Sequence, residues 1–397
     1  MRKKSFLLIV VAVVSISGGL LSCKTEEPVD SYKVGAILAQ TGNYAGLGLQ
    51  ALEGIQVTVD EINDNGGING IPLELLVYDD KSESTEAALV AKKLIEVDKV
   101  HVLLTCTTTS LSMSIVPLGN EEEVPTVILS GTSLFDDQLG RWVFRPAGGE
   151  ADYIITTLDY VDENLDVEEY AVLLENSGYG QGGKVFLPQI SPSYGMSIVE
   201  EQYFDPGATD VSPQLNNIKN SDAQAIYIWG SSPTAAMAVK QAREMGISLP
   251  IIVTPPQLDP GLLDSFGEYY AMEPSIISVT AKMDVWQQLP DSDPDKAILR
   301  EFSELYTERY GHPAAMWSVL GGQLVQFIED GLKRAEADPA NLEEARNEIR
   351  DAFENTSNLD LLVATYSMSP EDHFGVVLGE TKMTMVTFEN GQLVLLP

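Results

Sequence analysis

The chain has 397 residues and a formal net charge of −35 at pH 7. A surface this acidic repels phosphate backbones, so the composition argues against a nucleic-acid-binding protein. The length allows one large domain or two of medium size. The two cysteines, Cys23 and Cys106, cannot form a four-cysteine zinc site, and we expect neither a metal nor a cofactor.

The N-terminus begins with a basic triplet, Arg2-Lys3-Lys4, followed by an apolar run at residues 6–16 that is too short for an ordinary membrane span. The sequence Leu-Leu-Ser then precedes Cys23, a pattern typical of bacterial lipoproteins, which are cut before the cysteine and acylated on it. We therefore expect a lipoprotein signal peptide at residues 1–22, lipidation of Cys23 and a tether at residues 23–31. The mature protein would lie outside the cytoplasm on a bacterial membrane, in the periplasm or at the cell surface. An ordinary secretory signal or an uncleaved anchor is the alternative.

Residues 32–80 have the pattern of the first unit of an α/β sheet. A strand at residues 32–38 and a second at 72–78 flank a helix, whose apolar positions recur every three or four residues: Ala45, Leu49, Leu52, Ile55, Val59 and Ile62. Gly66 and Gly67 follow, as a left-handed helix cap requires. Small ligands lie outside the carboxyl ends of the strands in such sheets, where this chain has the polar loop 39–44.

Strands and helices continue to alternate along the chain. The next strands are predicted at residues 100–105 and 126–129, with helices at 84–97 and 111–120. A second series has predicted strands at 170–174, 196–204, 225–229 and 250–253, and helices at 151–165, 182–190 and 232–245. This repetition predicts two lobes with parallel sheets.

The C-terminal section has a different character. We predict a strand at residues 275–279 and helices at 295–310, 314–335 and 341–353. Asn390-Gly391 is a hairpin turn signal between two apolar segments, so the tail is predicted to contain antiparallel strands.

One motif carries a family resemblance. V-G-A-I-L-A-Q-T-G-x-Y-A-G-x-G-x-Q-A-x-E-G-I begins at Val34, E-I-N-x-x-G-G-I-x-G follows at Glu61, and Y-D-D ends at Asp80. This order resembles the type I periplasmic binding proteins, and most of all the branched-chain amino acid (Leu/Ile/Val) binding subunits of ABC transporters. Weaker similarities follow in the family's order over the whole mature chain: residues 105–110, 130–132, 144–146, 179–180, 306–313 and 369–373.

The resemblance implies an α/β fold of two doubly wound parallel-sheet lobes, joined by a three-strand hinge that closes over a ligand. It places lobe I at residues 32–147 plus 276–362, and lobe II at 148–275 plus 363–397. It also implies a monomer that delivers a small molecule to an ABC permease in the cytoplasmic membrane.

Hydroxyl side chains after two strands of lobe I form the first set of candidate ligand contacts. Thr107 and Thr108, with Thr109, lie between a strand and a helix, where hydroxyls and free N–H groups bind anions. Ser130 and Thr132 would add hydroxyls from the next loop. The alternatives are plain N-capping for the threonines and ordinary turn chemistry for the second pair.

Aromatic side chains form the second set. Tyr44 follows the first strand and Tyr179 lies in the equivalent loop of lobe II, so each is a candidate to close over the ligand. Trp229, Met316 and Trp317 are candidates for an apolar wall. Alternatively, the two tyrosines lie on the protein surface, and the tryptophans and Met316 pack in the core.

Lobe II departs from the family pattern. Amino acid binders carry an acid after the strand that corresponds to residues 250–253, where it pairs with the ligand ammonium, but this chain offers Gln257 or, with a shift, Asp259. Ser231, also a predicted ligand contact, lies in a loop that lacks the family's tyrosine. A buried ammonium without a carboxylate is costly. An aliphatic or aromatic acid, or an amide, therefore fits as well as a branched-chain or other amino acid.

Three other functions can be compared with the sequence: dinucleotide binding, catalysis and ligand sensing. Gly46-x-Gly48 resembles a dinucleotide fingerprint, but a polar loop separates it from the strand. The sequence has no Gly-x-Ser-x-Gly or His-Glu-x-x-His motif, and its three histidines, His101, His312 and His373, have no evident catalytic partner, so we do not expect an enzyme. A ligand sensor that acts on a membrane signalling protein would have the same fold and remains the main alternative.

Overall fold

The computed structural model describes residues 31–272 and 274–397. Its strands are β1 (Tyr32–Leu38), β2 (Leu73–Asp79), β3 (Val102–Thr105), β4 (Thr126–Ile128), β5 (Val143–Phe144), β6 (Glu169–Glu175), β7 (Ser197–Phe204), β8 (Ala225–Trp229), β9 (Ile251–Val253), β10 (Ile276–Ala281), β11 (Leu359–Asp360), β12 (Ala364–Tyr366), β13 (Val376–Thr381), β14 (Met383–Glu389) and β15 (Gln392–Leu395). Its α-helices are α1 (Ala45–Asp64), α2 (Ser84–Glu96), α3 (Thr109–Glu121), α4 (Glu150–Asn164), α5 (Gly178–Ile190), α6 (Ser212–Lys219), α7 (Pro233–Glu244), α8 (Pro260–Tyr270), α9 (Lys296–Tyr310), α10 (Met316–Ala335) and α11 (Leu342–Glu354).

Two large sheets form the centres of two lobes. Lobe I is built on five parallel strands in the order β2-β1-β3-β4-β5. Lobe II is built on seven strands in the order β15-β14-β10-β9-β8-β6-β7, in which β14 is antiparallel to both neighbours. The strands β11, β12 and β13 form a small antiparallel sheet of their own. The predicted α/β class with two parallel-sheet lobes is confirmed.

The expected lobe boundary at residue 276 is wrong for one strand. β10 pairs with β9 and β14, so residues 276–281 belong to the sheet of lobe II rather than to lobe I. The chain leaves this sheet only after Ala281, where a 3₁₀ segment, Lys282–Gln288, begins. A fully buried strand has the same apolar composition in either sheet, which is why its sequence did not show which lobe it joins.

β1 illustrates how the sheet of lobe I is covered. Successive strand residues point to opposite faces. Ala36 and Leu38 belong to one core cluster with Ile55 of α1, whereas Ile37 belongs to another with Leu94 of α2. Because helices cover both faces, the carboxyl edge of the sheet is where loops can form a site.

α1 and α10 approach each other closely. A Cβ atom on Gly54 would lie 1.8 Å from the carbonyl oxygen of Ser318, and one on Gly321 would lie 2.3 Å from that of Ala51. Both distances are far below contact, so only glycine fits at these two positions. The contact fixes the beginning of α10, which borders the cleft described below.

α1 forms where its periodicity predicted, and its C-terminal cap is confirmed by the positive φ angles of Gly66 and Gly67 (97° and 77°). Leu49, however, is 46% exposed although the pattern placed it on the buried face, while Leu47 is buried. α6 and α8 were not predicted. Asparagines in α6, and Pro260, Gly261 and Gly267 in α8, obscured their helical pattern.

In the part of the chain that the structure describes, no helix combines the length and apolar character needed to cross a membrane. The predicted signal peptide and Cys23 lie outside the described residues. Cys106 is buried and has a free thiol.

Candidate functional site

A narrow cavity of about 30 Å³ lies between the two lobes. Lobe I contributes Thr107, Thr108, Thr109, Leu129, Gly131, Met316, Trp317 and Leu320, and lobe II contributes Tyr153, Tyr179, Ser231, Pro255 and Pro256. Most of these residues directly follow strands β3, β4, β6, β8 and β9, so the cavity lies at the carboxyl ends of both sheets.

Three consecutive threonine hydroxyls lie at the lobe I end of the cavity. Thr107 accepts a hydrogen bond from the Ala39 N–H (3.2 Å), and Thr109 accepts one from the Gly131 N–H (3.2 Å). Thr108 is the N-cap of α3 and accepts from the first turn of that helix (3.5 Å). A hydroxyl that accepts from a backbone N–H still has its own proton to donate. The three residues therefore present hydrogen-bond donors beside a helix N-terminus.

The lobe I wall is completed by the start of α10. Met316 and Trp317 are its first two residues, and both are buried. The indole N–H of Trp317 donates to the carbonyl oxygen of Thr107 (3.3 Å), which ties this wall to the threonine loop. Leu129 and Leu320 add aliphatic surface. The middle of the cavity is accordingly apolar.

Tyr179 closes the cavity from lobe II. It lies in the first turn of α5, and its ring is so close to Gly131 of lobe I that a Cβ atom there would be 2.8 Å from it. The ring also packs against Trp229, with centroids 5.2 Å apart. Burial raises the pKa of the Tyr179 hydroxyl, which therefore stays protonated.

Among the described residues, none of those that line the cavity is acidic. The buried Glu175 carboxylate accepts from the N–H and hydroxyl of Ser231 (both 3.1 Å) and from the Ser232 N–H (2.8 Å), at the N-terminus of α7. The Glu150 carboxylate accepts from the Thr132 hydroxyl and the Ser133 N–H (2.7 Å). Both acids are thus satisfied by donors from the protein, and neither forms part of the cavity wall.

A family model for periplasmic binding proteins matches residues 31–392. The chain belongs to the periplasmic binding protein family. Together with the relatives and solved structures described next, this match confirms the predicted resemblance to the Leu/Ile/Val-binding branch and the type I fold.

Curated relatives of this binding protein are distant. An "amino acid binding protein" of Pseudomonas aeruginosa is 26% identical over 216 residues, which cover 54% of this chain and 58% of that protein. A "Leu/Ile/Val-binding protein homolog 3" of Brucella melitensis is 25% identical over 306 residues, which cover 76% of this chain and 78% of that protein. The chain thus spans little more than half the length of the first of these relatives.

Solved structures agree with the fold. An extracellular ligand-binding receptor from Rhodopseudomonas palustris HaA2 superposes with a TM-score of 0.83 at 20% identity, covering 92% of this chain and 99% of that one. A solute-binding protein of an ABC transporter from Rhodopseudomonas palustris BisB5, solved with 3,4-dihydroxybenzoic acid, has a TM-score of 0.75 at 20% identity and covers 92% and 95% of the two chains.

Six predicted contacts of this binding protein border the cavity: Thr107, Thr108, Tyr179, Ser231, Met316 and Trp317. Tyr44 borders an adjoining cavity of about 120 Å³ at the cleft rim, together with Ser231 and Asp259. Burial is the main cause that raises the pKa of the Tyr44 hydroxyl, and the nearby Glu175 carboxylate raises it further. Asp259 therefore lies at the rim rather than in the central cavity.

Four predicted contacts do not line the cavity, which corrects the sequence interpretation. The hydroxyl of Ser130 donates to the carbonyl oxygen of Thr132 (3.0 Å), and that of Thr132 donates to Glu150. The indole N–H of Trp229 donates to the carbonyl oxygen of Tyr179 (3.1 Å). These three side chains hold neighbouring loops in place behind the wall.

Gln257 is the fourth predicted contact that does not line the cavity. Its amide donates to the carbonyl oxygen of Ile228 (3.0 Å) and to the hydroxyl of Thr254 (3.2 Å), and its side chain is fully buried. The amide links the ends of β8 and β9 inside lobe II. It therefore does not stand in for the acid that amino acid binders carry, because the two prolines before it, Pro255 and Pro256, face the cavity instead.

Sequence reasoning missed Tyr153, Leu129, Leu320 and the proline pair. Tyr153 is the fourth residue of α4, directly after the first crossover between the lobes. A tyrosine in a helix is equally compatible with core packing, and only the position of α4 against the cleft distinguishes the two roles.

None of the three histidines lines the cavity. The Nδ1 atom of His101 accepts from the Lys33 N–H (2.9 Å), so its Nε2 donates to the carbonyl oxygen of Pro339 (3.1 Å). His373 pairs with the carbonyl oxygen of Val143 (2.9 Å), and His312 is exposed. Among the described residues, no cluster of histidine, cysteine or acidic side chains could hold a metal ion.

Proposed function

We propose that this binding protein captures a small monocarboxylic acid without an ammonium group between its lobes. It would act as the lipid-anchored, extracytoplasmic substrate-binding subunit of an ABC importer, and deliver the acid to the permease after hinge closure. No catalytic step is assigned to it. The observation that carries the proposal is a cavity with hydroxyl donors at one end and no acidic residue in its wall.

The lobe I end supports binding of a carboxylate. α3 has 13 residues and no acid in its first turn, so its N-terminus presents a partial positive charge. The hydroxyl of Thr108 accepts from the Leu111 N–H, and its carbonyl oxygen accepts from the Ser112 N–H. This leaves the first two N–H groups of the helix for a ligand. Together with the threonine hydroxyls, these donors match the two oxygens of a carboxylate.

The rest of the cavity supports a ligand without a positive charge. Its wall is formed by leucine, proline, methionine and aromatic side chains. An ammonium placed there would lose its hydration without gaining a carboxylate, at a cost on the order of several kcal/mol. The names of the relatives point to amino acids and to an aromatic acid. Because the cavity wall is apolar and lacks an acid, it favours an acid without an ammonium group over an amino acid.

Contacts across the cleft support ligand capture by closure. The Gly178 N–H of lobe II donates to the Ser110 hydroxyl of lobe I (3.1 Å), next to the meeting of Tyr179 and Gly131. These contacts join the two anion-binding loops of lobe I to the first turn of α5. A ligand held there would be shielded from water on both sides.

A thermal-shift screen tests the proposal on the mature protein with Cys23→Ser to avoid the lipid. Monocarboxylates such as 4-methylpentanoate and benzoate should raise the melting temperature, while leucine and isoleucine should not. Thr108→Val should abolish the shift, whereas Thr108→Ser, which keeps both the helix cap and the donor, should preserve it. A shift with leucine and none with the acids would refute the proposal.

A further inference from the structure

Tyr153 and Tyr179 of lobe II line the cavity, and their hydroxyls have no hydrogen-bond partner among the described residues. The Tyr179 hydroxyl is buried and has no hydrogen bond within the described residues. Tyr153 is 5% exposed, and no hydrogen bond from the described part of the chain reaches its hydroxyl. A buried hydroxyl without a partner costs about 1 to 3 kcal/mol, so these groups are expected to be satisfied in the ligand complex.

The Thr254 hydroxyl does not supply the missing partner of Tyr179. Thr254 lies beside Tyr179, but its hydroxyl donates to the carbonyl oxygen of Gly230 (2.9 Å). It also accepts from the Gly230 N–H (3.4 Å) and from the Gln257 amide (3.2 Å). Its hydrogen-bonding capacity is therefore filled.

The two phenols lie across the cleft from the carboxylate-binding threonines. Tyr153 and Tyr179 belong to α4 and α5 of lobe II, whereas the threonines belong to the β3–α3 loop of lobe I. Leu129, Leu320 and Trp317 add apolar surface to the same cavity. A ligand that places its carboxylate on the threonines of lobe I thus presents another part of its surface to lobe II, where Tyr153 lies.

The charges around the phenols disfavour a second carboxylate on the ligand. Burial is the main cause that raises the pKa of both hydroxyls, so both remain hydrogen-bond donors. Their charged neighbours are Asp152, which accepts from the Gly149 N–H (3.3 Å), Glu150, which is already held by donors, and Arg145, which donates to the carbonyl oxygen of Ser130 (2.9 Å). A second carboxylate on the ligand would be repelled by Asp152 and Glu150.

We infer that Tyr153 is a specificity-determining residue, which selects monocarboxylic acids carrying a neutral hydrogen-bonding group, a hydroxyl or a carbonyl, on the side opposite the carboxylate. The inference deepens the proposed function and rests on it. Tyr179 shares the contact, but its ring also packs between Gly131 and Trp229, so its removal would disturb closure as well. Tyr153 is the residue at which recognition can be separated from packing.

Two matched ligand pairs test this by calorimetry. The acids 4-hydroxybenzoate and 4-methylbenzoate have similar size, and so do 5-oxohexanoate and 5-methylhexanoate. In at least one pair, the wild type should bind the hydrogen-bonding member at least about tenfold more tightly than the methyl member. The methyl member leaves a hydrogen-bonding group of the site without a partner. Tyr153→Phe should remove this preference and leave the affinity of the methyl member within about twofold.

A second tyrosine of the same helix provides the control. Tyr160 is not part of the cavity wall, so Tyr160→Phe should keep the wild-type preference. A preference that survives in Tyr153→Phe, or no preference in either pair, would overturn the role of Tyr153 while the proposed function stands. Binding of leucine in place of every acid would overturn both.

Discussion

The side-chain amide of Gln50, on α1 of lobe I, donates a hydrogen bond to the carboxylate of Asp259 in lobe II. Asp259 is the N-cap of α8 and also accepts from the Leu262 N–H (3.1 Å), so its position is fixed within lobe II. The bond lies beside the rim cavity, outside the central one. Gln50 and Asp259 therefore form a latch across the mouth of the cleft.

Removal of the latch should shift the balance toward the open form. We expect Gln50→Leu to weaken ligand binding by roughly three- to tenfold, the value of about one hydrogen bond, mainly through faster dissociation. Stopped-flow measurement of the dissociation rate checks this. Gln56→Leu, an exposed position on the same helix, is the matched control and should leave the rate unchanged. An unchanged rate in Gln50→Leu would show that the latch does not contribute to closure.

Gly131→Ala should prevent full closure. The added Cβ would lie 2.8 Å from the Tyr179 ring, which is closer than side chains approach one another. We expect ligand affinity to fall by more than about tenfold while the melting temperature of the ligand-free protein changes little. Gly149→Ala is the control, since its Cβ would meet Phe374 at an ordinary 3.5 Å. Wild-type affinity in Gly131→Ala would argue that Tyr179 does not need to reach lobe I.

The stability of the protein should depend on pH through Asp284. This carboxyl is buried after β10 and accepts from the Thr280 hydroxyl, and burial raises its pKa to about 6. Burial also raises the pKa of Asp80 to about 6. Both groups bind their protons more tightly in the folded chain, so their contribution to stability is greatest near pH 4 and is lost as the pH rises through about 6.

Asp284→Asn mimics the protonated acid and should therefore stabilise the protein at pH 7.5. We expect a gain of up to about 2 to 3 kcal/mol in the free energy of unfolding, which disappears near pH 4. Melting temperatures of wild type and variant across this range provide the measurement. Asp291→Asn, a fully exposed carboxyl, should show no such gain. A gain of equal size at both pH values would mean that Asp284 does not titrate between them.

Cys23→Ser should release the protein from the membrane. If Cys23 carries the lipid, wild-type protein will fractionate with membranes and incorporate labelled palmitate, because acyl chains anchor a soluble domain to a bilayer. The variant should lose the label. Cys106→Ser is the control, because this thiol is buried and should not affect fractionation. Label retained by Cys23→Ser would contradict the lipoprotein prediction.

Local patterns in the sequence were sufficient to predict much of the fold. The period of α1, the glycines that end it and the Asn390-Gly391 hairpin all correspond to observed elements, because each depends on interactions between near neighbours. β10 was assigned to the wrong lobe because strand pairing joins residues far apart in the chain. α8 was missed because its proline and glycines resemble a loop.

The site was predictable to a similar degree. Thr107, Thr108 and Tyr179 border the cavity because they follow strands, a relation that the order of elements already contains. Gln257, a predicted contact, lies in the core of lobe II, whereas Tyr153, which no motif indicated, lines the cavity. Which way a side chain points at the end of a strand or helix depends on neighbouring elements that a short motif does not specify.

The most direct test of the central claim compares leucine with its deaminated analogue, 4-methylpentanoate, by calorimetry on the same preparation. The two share the carboxylate and the aliphatic body and differ only in the ammonium, for which the cavity wall has no acidic partner. We predict that 4-methylpentanoate binds at least about tenfold more tightly than leucine. Tighter binding of leucine would contradict this account.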